Sequence, residues 1–133
     1  MQAKEIITMT HDKIRSFMTK VVPKPWGEEL IWAETSDYVG KLITINHGNR
    51  LSRQYHEVKE ETIYVVYGTM LLEVGQKDHI EKFKLTKGEN FHITPGLVHR
   101  FCAPYGDVEI MEVSTPHLDD VVRLEDDYKR EDK

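Results

Sequence analysis

A single all-β domain is what the sequence predicts, and three observations carry the prediction. Short runs rich in β-branched and aromatic residues recur about every ten residues, and Gly, Asn and Asp punctuate them. The length of 133 residues suits one domain that buries its core without disulfides. The one cysteine, Cys102, excludes an internal disulfide, so a reducing compartment fits. Seven or eight such strands fold as a sandwich or a closed barrel.

Residues 1–22 read as a short amphipathic helix or arm, since Ile7, Ile14, Phe17, Met18 and Val21 recur at roughly helical spacing. "VVPKPWG" (21–27) stops any helix, because each proline biases the residue before it towards extended geometry. The strands follow over residues 23–117: 29–35, 38–46, 61–68, 69–75, 77–86, 89–94, 98–103 and 107–114. Residues 118–133 read as a short helix or strand with a frayed acidic end, holding seven acidic residues against four basic ones.

Composition removes several functions. The net charge of −5 gives no basic field for a nucleic acid, although a few local cations suffice to bind a phosphate. No stretch approaches the ~18 apolar residues of a membrane span. The opening "MQAKEIITMT" lacks the apolar run of a signal peptide, so the cytoplasm is the expected location.

"RQYHEVKEET" (53–62) is the stretch in which chemistry concentrates. Alternation along a strand puts Gln54 and His56 on one face with Tyr55 opposite, and Ser52 and Arg50 share that phase if the strand extends back. A turn near Val58–Glu60 would make a hairpin that returns Glu61 towards His56, and His99 opens a later strand after the turn in "TPGLVHRF" (94–101). Gln54, His56, Glu61 and His99 could thus converge inside a barrel. Imidazole, carboxylate and amide oxygen together suit a divalent Zn, Mn, Fe, Co or Ni ion. Four protein ligands leave positions open on a five- or six-coordinate ion.

The hairpin alone is ordinary; the glycines around it change its weight. The chain reads Gly48-(x)5-Gln54-x-His56-(x)4-Glu61-(x)6-Gly68, then Gly88-(x)5-Thr94-x-Gly96-x-x-His99-(x)3-Ala103. This resembles the two motifs of the cupin superfamily, with Gln54 in place of the first histidine, Thr94 of the proline and Ala103 of the asparagine. Glu60 is the rival ligand, but the shorter spacing would put Gly68 out of register. The resemblance implies a double-stranded β-helix, the jelly-roll barrel of cupins, with a divalent metal ion on Gln54, His56, Glu61 and His99.

A narrower resemblance follows from "KPWG" (24–27), "RLSRQYH" (50–56), "PGLVHRF" (95–101) and "DDVVRLEDDY" (119–128). These look like the type II phosphomannose isomerases, whose cupin domain often follows a mannose-1-phosphate guanylyltransferase domain and whose motif also carries the glutamine. Where that family has further histidines beside the ligands, this chain has "HEVKEETI". The resemblance implies isomerisation of mannose 6-phosphate and fructose 6-phosphate, with Arg50, Lys41 and Arg100 as candidates to contact substrate or phosphate. Arg100 has the opposite phase to His99 if its strand is regular. The resemblance also implies a homodimer. Two other classes stay open: a stand-alone metal-binding cupin that holds a sugar or other small polar ligand without isomerising it, and an oxygen-using iron enzyme. No residue stands out as the general base; His92 has the outward phase, Tyr64 and Tyr67 suit packing, and His11, His47, His79 and His117 suit the surface.

Overall fold

The computed structural model describes residues 19–130, and the arm expected over residues 1–18 lies outside them. Eleven strands form: β1 (Lys20–Lys24), β2 (Gly27–Glu34), β3 (Val39–Ile45), β4 (Arg53–Tyr55), β5 (Glu61–Tyr67), β6 (Met70–Gln76), β7 (His79–Leu85), β8 (Asn90–Ile93), β9 (His99–Cys102), β10 (Val108–Ser114) and β11 (Val122–Glu125). They make two antiparallel sheets, ordered β1-β2-β3-β10-β5-β8 and β11-β4-β9-β6-β7. No helix occurs among the described residues, and none is long and apolar enough to cross a membrane.

The eight expected strands all form, within a few residues of their expected ends. Three further strands form, of which β4 and β11 fall where a strand was expected or was one of two alternatives. Residues 20–24 run as β1 along β2 where the prolines suggested only a helix stop. An edge strand accepts Pro23 because one side of its backbone needs no partner. The "RQY" segment is strand β4, and it belongs to the opposite sheet from β5. His56 and Glu61 are therefore not partners on a hairpin; the link between them crosses from one sheet to the other. The C-terminal segment adds β11 to the side of β4, and residues 126–130 are bonded rather than frayed. Asp126 holds the Arg130 guanidinium, and the Tyr128 hydroxyl donates to the Arg50 carbonyl at 3.0 Å.

The inward face of each strand changes character along its length. On β3 it carries Ile45 and Ile43 and then Lys41; on β10, Val108 and Ile110 and then Glu112; on β5, Val65 and Ile63 and then Glu61; on β9, Phe101 and then His99. The apolar ends pack with Trp26, Met70, Leu72 and Ile93 into one core. Burying each such side chain contributes about 1.5–3 kcal/mol. The polar ends meet at the other end of the interior, and the site forms there. Gly68 lets β5 turn into β6: its φ is +81°, and a Cβ there would collide with the Asp107 carbonyl.

Candidate metal centre

His56, Glu61 and His99 converge, with one ligand atom from each lying within 4.8 Å of the others and all three residues buried. His56 follows β4, Glu61 opens β5 in the opposite sheet, and His99 opens β9. The two rings stand 5.2 Å apart, centre to centre. Gln54 pairs with His99 in the β4–β9 register and lines the same cavity, so its amide oxygen can join the three.

Backbone carbonyls settle which nitrogen of each ring faces inward. The His56 Nδ1 lies 2.6 Å from the Asp120 carbonyl, and the His99 Nδ1 lies 2.9 Å from the Leu97 carbonyl. A carbonyl only accepts, so each Nδ1 carries a proton and Nε2 is the nitrogen left to meet the other ligands. Both Nε2 atoms and the Glu61 Oε2 are buried without a hydrogen-bond partner. Leaving three such atoms unsatisfied is costly, at roughly 1–3 kcal/mol for each buried polar group. A divalent ion accepted by two imidazoles and a carboxylate removes that cost, so these residues fit one.

Electrostatics agree with this donor set. Burial pushes the His99 pKa down, which keeps the ring neutral and able to bind a cation. Burial alone would raise the Glu61 carboxyl, but the His56 ring 3.3 Å away and the Lys59 ammonium 3.8 Å away hold it well below the usual range. Lys59 bonds Glu112 at 3.1 Å, and both side chains are buried. Burial would lower Lys59, yet the Glu112 and Glu61 carboxylates raise it and keep it charged. Burial, together with the Glu61 charge, raises Glu112 above the ordinary carboxylate range.

The cavity beside these groups measures about 90 Å³. An adjoining hollow of about 60 Å³ shares Lys24, Glu29, Gln54 and Arg123 with it. Lys41 lines the cavity, bonded to Glu29 at 3.1 Å. Burial lowers the Lys24 pKa; the Glu29 carboxylate opposes this, and the charges of Lys41, Arg130 and Arg123 add to it. The two hollows thus gather Lys24, Lys41, Arg123 and Arg130 around the Glu29 carboxylate.

Arg50 and Arg100 stand elsewhere. Between the Gln54–His99 pair and the Arg50–Cys102 bridge, one strand advances four residues against three on the other. That extra residue reverses the phase. Arg50 therefore leaves the face of Gln54 and forks onto Asp127 at 2.8 and 3.0 Å. Arg100 follows strict alternation away from His99 and donates to the Leu51 carbonyl at 2.8 Å. Neither is among the residues lining the cavity. Cys102 shares that outer side, and burial raises its thiol pKa to about 11.

Lys59, Glu112, Glu29 and Asp120 belong to the site without having stood out in the sequence. Lys59 sits in a charged stretch that reads as an ordinary turn. Glu112 did carry a signal: it occupies the buried phase of β10 set by Val108 and Ile110. Asp120 accepts three backbone N–H groups, from Glu57 at 3.0 Å, Val58 at 2.7 Å and Lys59 at 2.8 Å.

Comparison with known proteins places this geometry in context. The family model for the mannose-6-phosphate isomerase C-terminal region matches residues 11–126. The xanthan biosynthesis protein XanB of Xanthomonas campestris pv. campestris is 31% identical over 97% of this chain and 28% of its own length. A mannose-1-phosphate guanylyltransferase of Escherichia coli is 28% identical over 80% of this chain and 23% of its own. The chain thus spans about a quarter of the length of the curated relatives it matches. Among solved structures, CapF with the inhibitor 3-isopropenyl-tropolone superposes with a TM-score of 0.71 at 19% identity. That match covers 81% of this chain and 35% of CapF, and it shows a shared cupin fold.

Proposed function

Because this chain belongs to the mannose-6-phosphate isomerase C-terminal family, we propose that it is a divalent-metal-dependent isomerase of the mannose 6-phosphate/fructose 6-phosphate type. One observation carries the reading: three buried, unpartnered donor atoms on His56, Glu61 and His99 converge beside a cleft that Lys24, Lys41 and Arg123 also line. The ion, when bound, supplies Lewis-acid stabilisation of the negative charge that develops on the sugar oxygens. Gln54, His56, Glu61 and His99 hold it. Lys24 and Arg123 supply the positive field that draws in a phosphate, and Lys41 reaches in from the cavity wall. Moving a proton between adjacent carbons needs a base. Glu112 is the buried cavity carboxylate outside the ligand set, and its Oε2 takes that role beside Lys59.

Elemental analysis and an isomerisation assay test this together. The purified chain should carry near-stoichiometric metal and turn over mannose 6-phosphate. His56→Ala and Glu61→Ala should lose the metal, whereas Glu112→Gln should keep it and lose turnover by roughly 10²–10⁴-fold. Metal without turnover in the unaltered chain would instead make it a cupin that binds a sugar or another small polar ligand.

A homodimer is part of the same reading. The outer face of the six-stranded sheet exposes Trp32, Tyr64 and Val113, and pairing would cover them. Light scattering should give twice the chain mass, with Trp32→Glu shifting it towards the monomer; a monomeric mass for the unaltered chain would sink the idea.

A further inference from the structure

The segment from Leu118 to Glu125 is built into the site more deeply than a C-terminal extension needs to be. Its Asp120 carbonyl accepts a hydrogen bond from the His56 Nδ1–H, and its Asp120 carboxylate accepts the backbone N–H groups of Glu57, Val58 and Lys59. One residue thereby orients a ligand ring and holds the whole link from that ligand to Lys59, two residues short of Glu61. Immediately after it, β11 lies along β4, with Val122 opposite Tyr55 and Arg123 opposite Gln54. Leu118, Val121 and Arg123 furnish part of the cavity wall.

The same segment lies at the edge of its sheet, where Asp120 and the Glu125 ion pairs with Arg53 at 3.0 Å and Arg100 at 3.6 Å are among its polar ties to the body. Only three residue pairs join β11 to β4, with a register shift between Arg123 and Glu125, and β11 is the outermost strand of its sheet. Leu124 and Glu125 are exposed. An edge element of this kind opens at a lower free energy than the core strands do. If it lifts away, His56 loses the bond that fixes its tautomer and its aim, and three loop N–H groups lose their acceptor.

We propose that Leu118–Glu125 is a clasp, and that its seating on the barrel and the filling of the metal site form one coupled equilibrium with Asp120 as the positioning residue. The inference rests on the metal-site reading above. Coupling of this kind is reciprocal: a seated clasp tightens the ion, and the ion must tighten the clasp by the same factor. Partners that orient a metal-ligating histidine are worth roughly 10–100-fold in metal affinity.

The test uses the full chain with Mn²⁺ alone as the probe. Calorimetric titration measures Mn²⁺ affinity for the unaltered protein and for Asp120→Ala, and hydrogen exchange is followed with and without Mn²⁺. Mn²⁺ should slow exchange across residues 118–125 and 57–59 of the unaltered protein, and Asp120→Ala should bind Mn²⁺ roughly 10–100-fold more weakly. A purely structural Asp120 would lower the metal-free melting temperature and leave Mn²⁺ affinity unchanged, which overturns the proposal. So does Mn²⁺ binding that leaves exchange in 118–125 unaltered, a result read on the unaltered chain even if the variant fails to fold. Absence of Mn²⁺ binding by the unaltered protein would remove the metal site itself, and the clasp with it.

Discussion

Lys59 is a charged side chain that the interior retains because two carboxylates surround it. Its ammonium stands 3.1 Å from Glu112 and 3.8 Å from Glu61, with all three groups buried. A buried pair of this kind adds little net stability, since desolvation offsets most of the attraction, but removing one partner strands the other. Lys59→Met should therefore destabilise the metal-free protein by about 3–5 kcal/mol, measured by urea unfolding. The double change Lys59→Met/Glu112→Leu should recover a large part of that loss, because the stranded charge goes with its partner. A double variant no more stable than the single one would show that the pair is not the source of the effect.

At the level of elements, the C-terminal segment depends on carboxylates that must stay ionised. Burial alone would raise Asp120 and Asp126, but backbone N–H groups at Asp120, and the Arg130 guanidinium with backbone N–H groups at Asp126, hold both at about 2. Their ordinary value is 3.8, so in acid the unfolded chain takes up these protons before the folded one does. The stabilisation is complete above that value and drains away as the pH falls from about 5 towards about 2. The melting temperature should drop over that window, and Asp126→Asn should flatten the slope. An equally steep fall in the variant would place the acid sensitivity elsewhere.

For the whole molecule, the donor set bridges the two layers. His56 and His99 come from the five-stranded sheet and Glu61 from the six-stranded one. An ion held by all three would therefore link the sheets across the polar end of the interior. With free ion at 100 times its dissociation constant, the folded state gains about 2.7 kcal/mol. For a domain of this size, where 1 kcal/mol moves the midpoint by about 3–6 °C, that raises the melting temperature by roughly 10 °C. The rise should follow Mn²⁺ concentration in a scan of the unaltered protein and vanish in His99→Ala; an equal response in the variant would put the ion at another site.

Much of this was legible in the sequence because it depends on local pattern. Strand alternation puts apolar side chains inward, Gly48, Gly68, Gly88 and Gly96 mark turns with positive φ, and the spacing from Gly48 to Gly68 and from Gly88 to His99 carries the candidate ligand positions in register. The same alternation turned Arg100 away from His99. Tertiary structure decided what alternation cannot carry over distance. One extra residue between Arg50 and Gln54 reversed a phase that the sequence read as continuous, and Arg50 left the cavity. The crossing of the 56–61 link between sheets, the burial of Lys59 against Glu112, and the grip of Asp120 on His56 join residues up to 64 positions apart. No periodicity of two or 3.6 residues records such pairings; they exist only once the sheets have closed on each other and the polar ends of their strands have met.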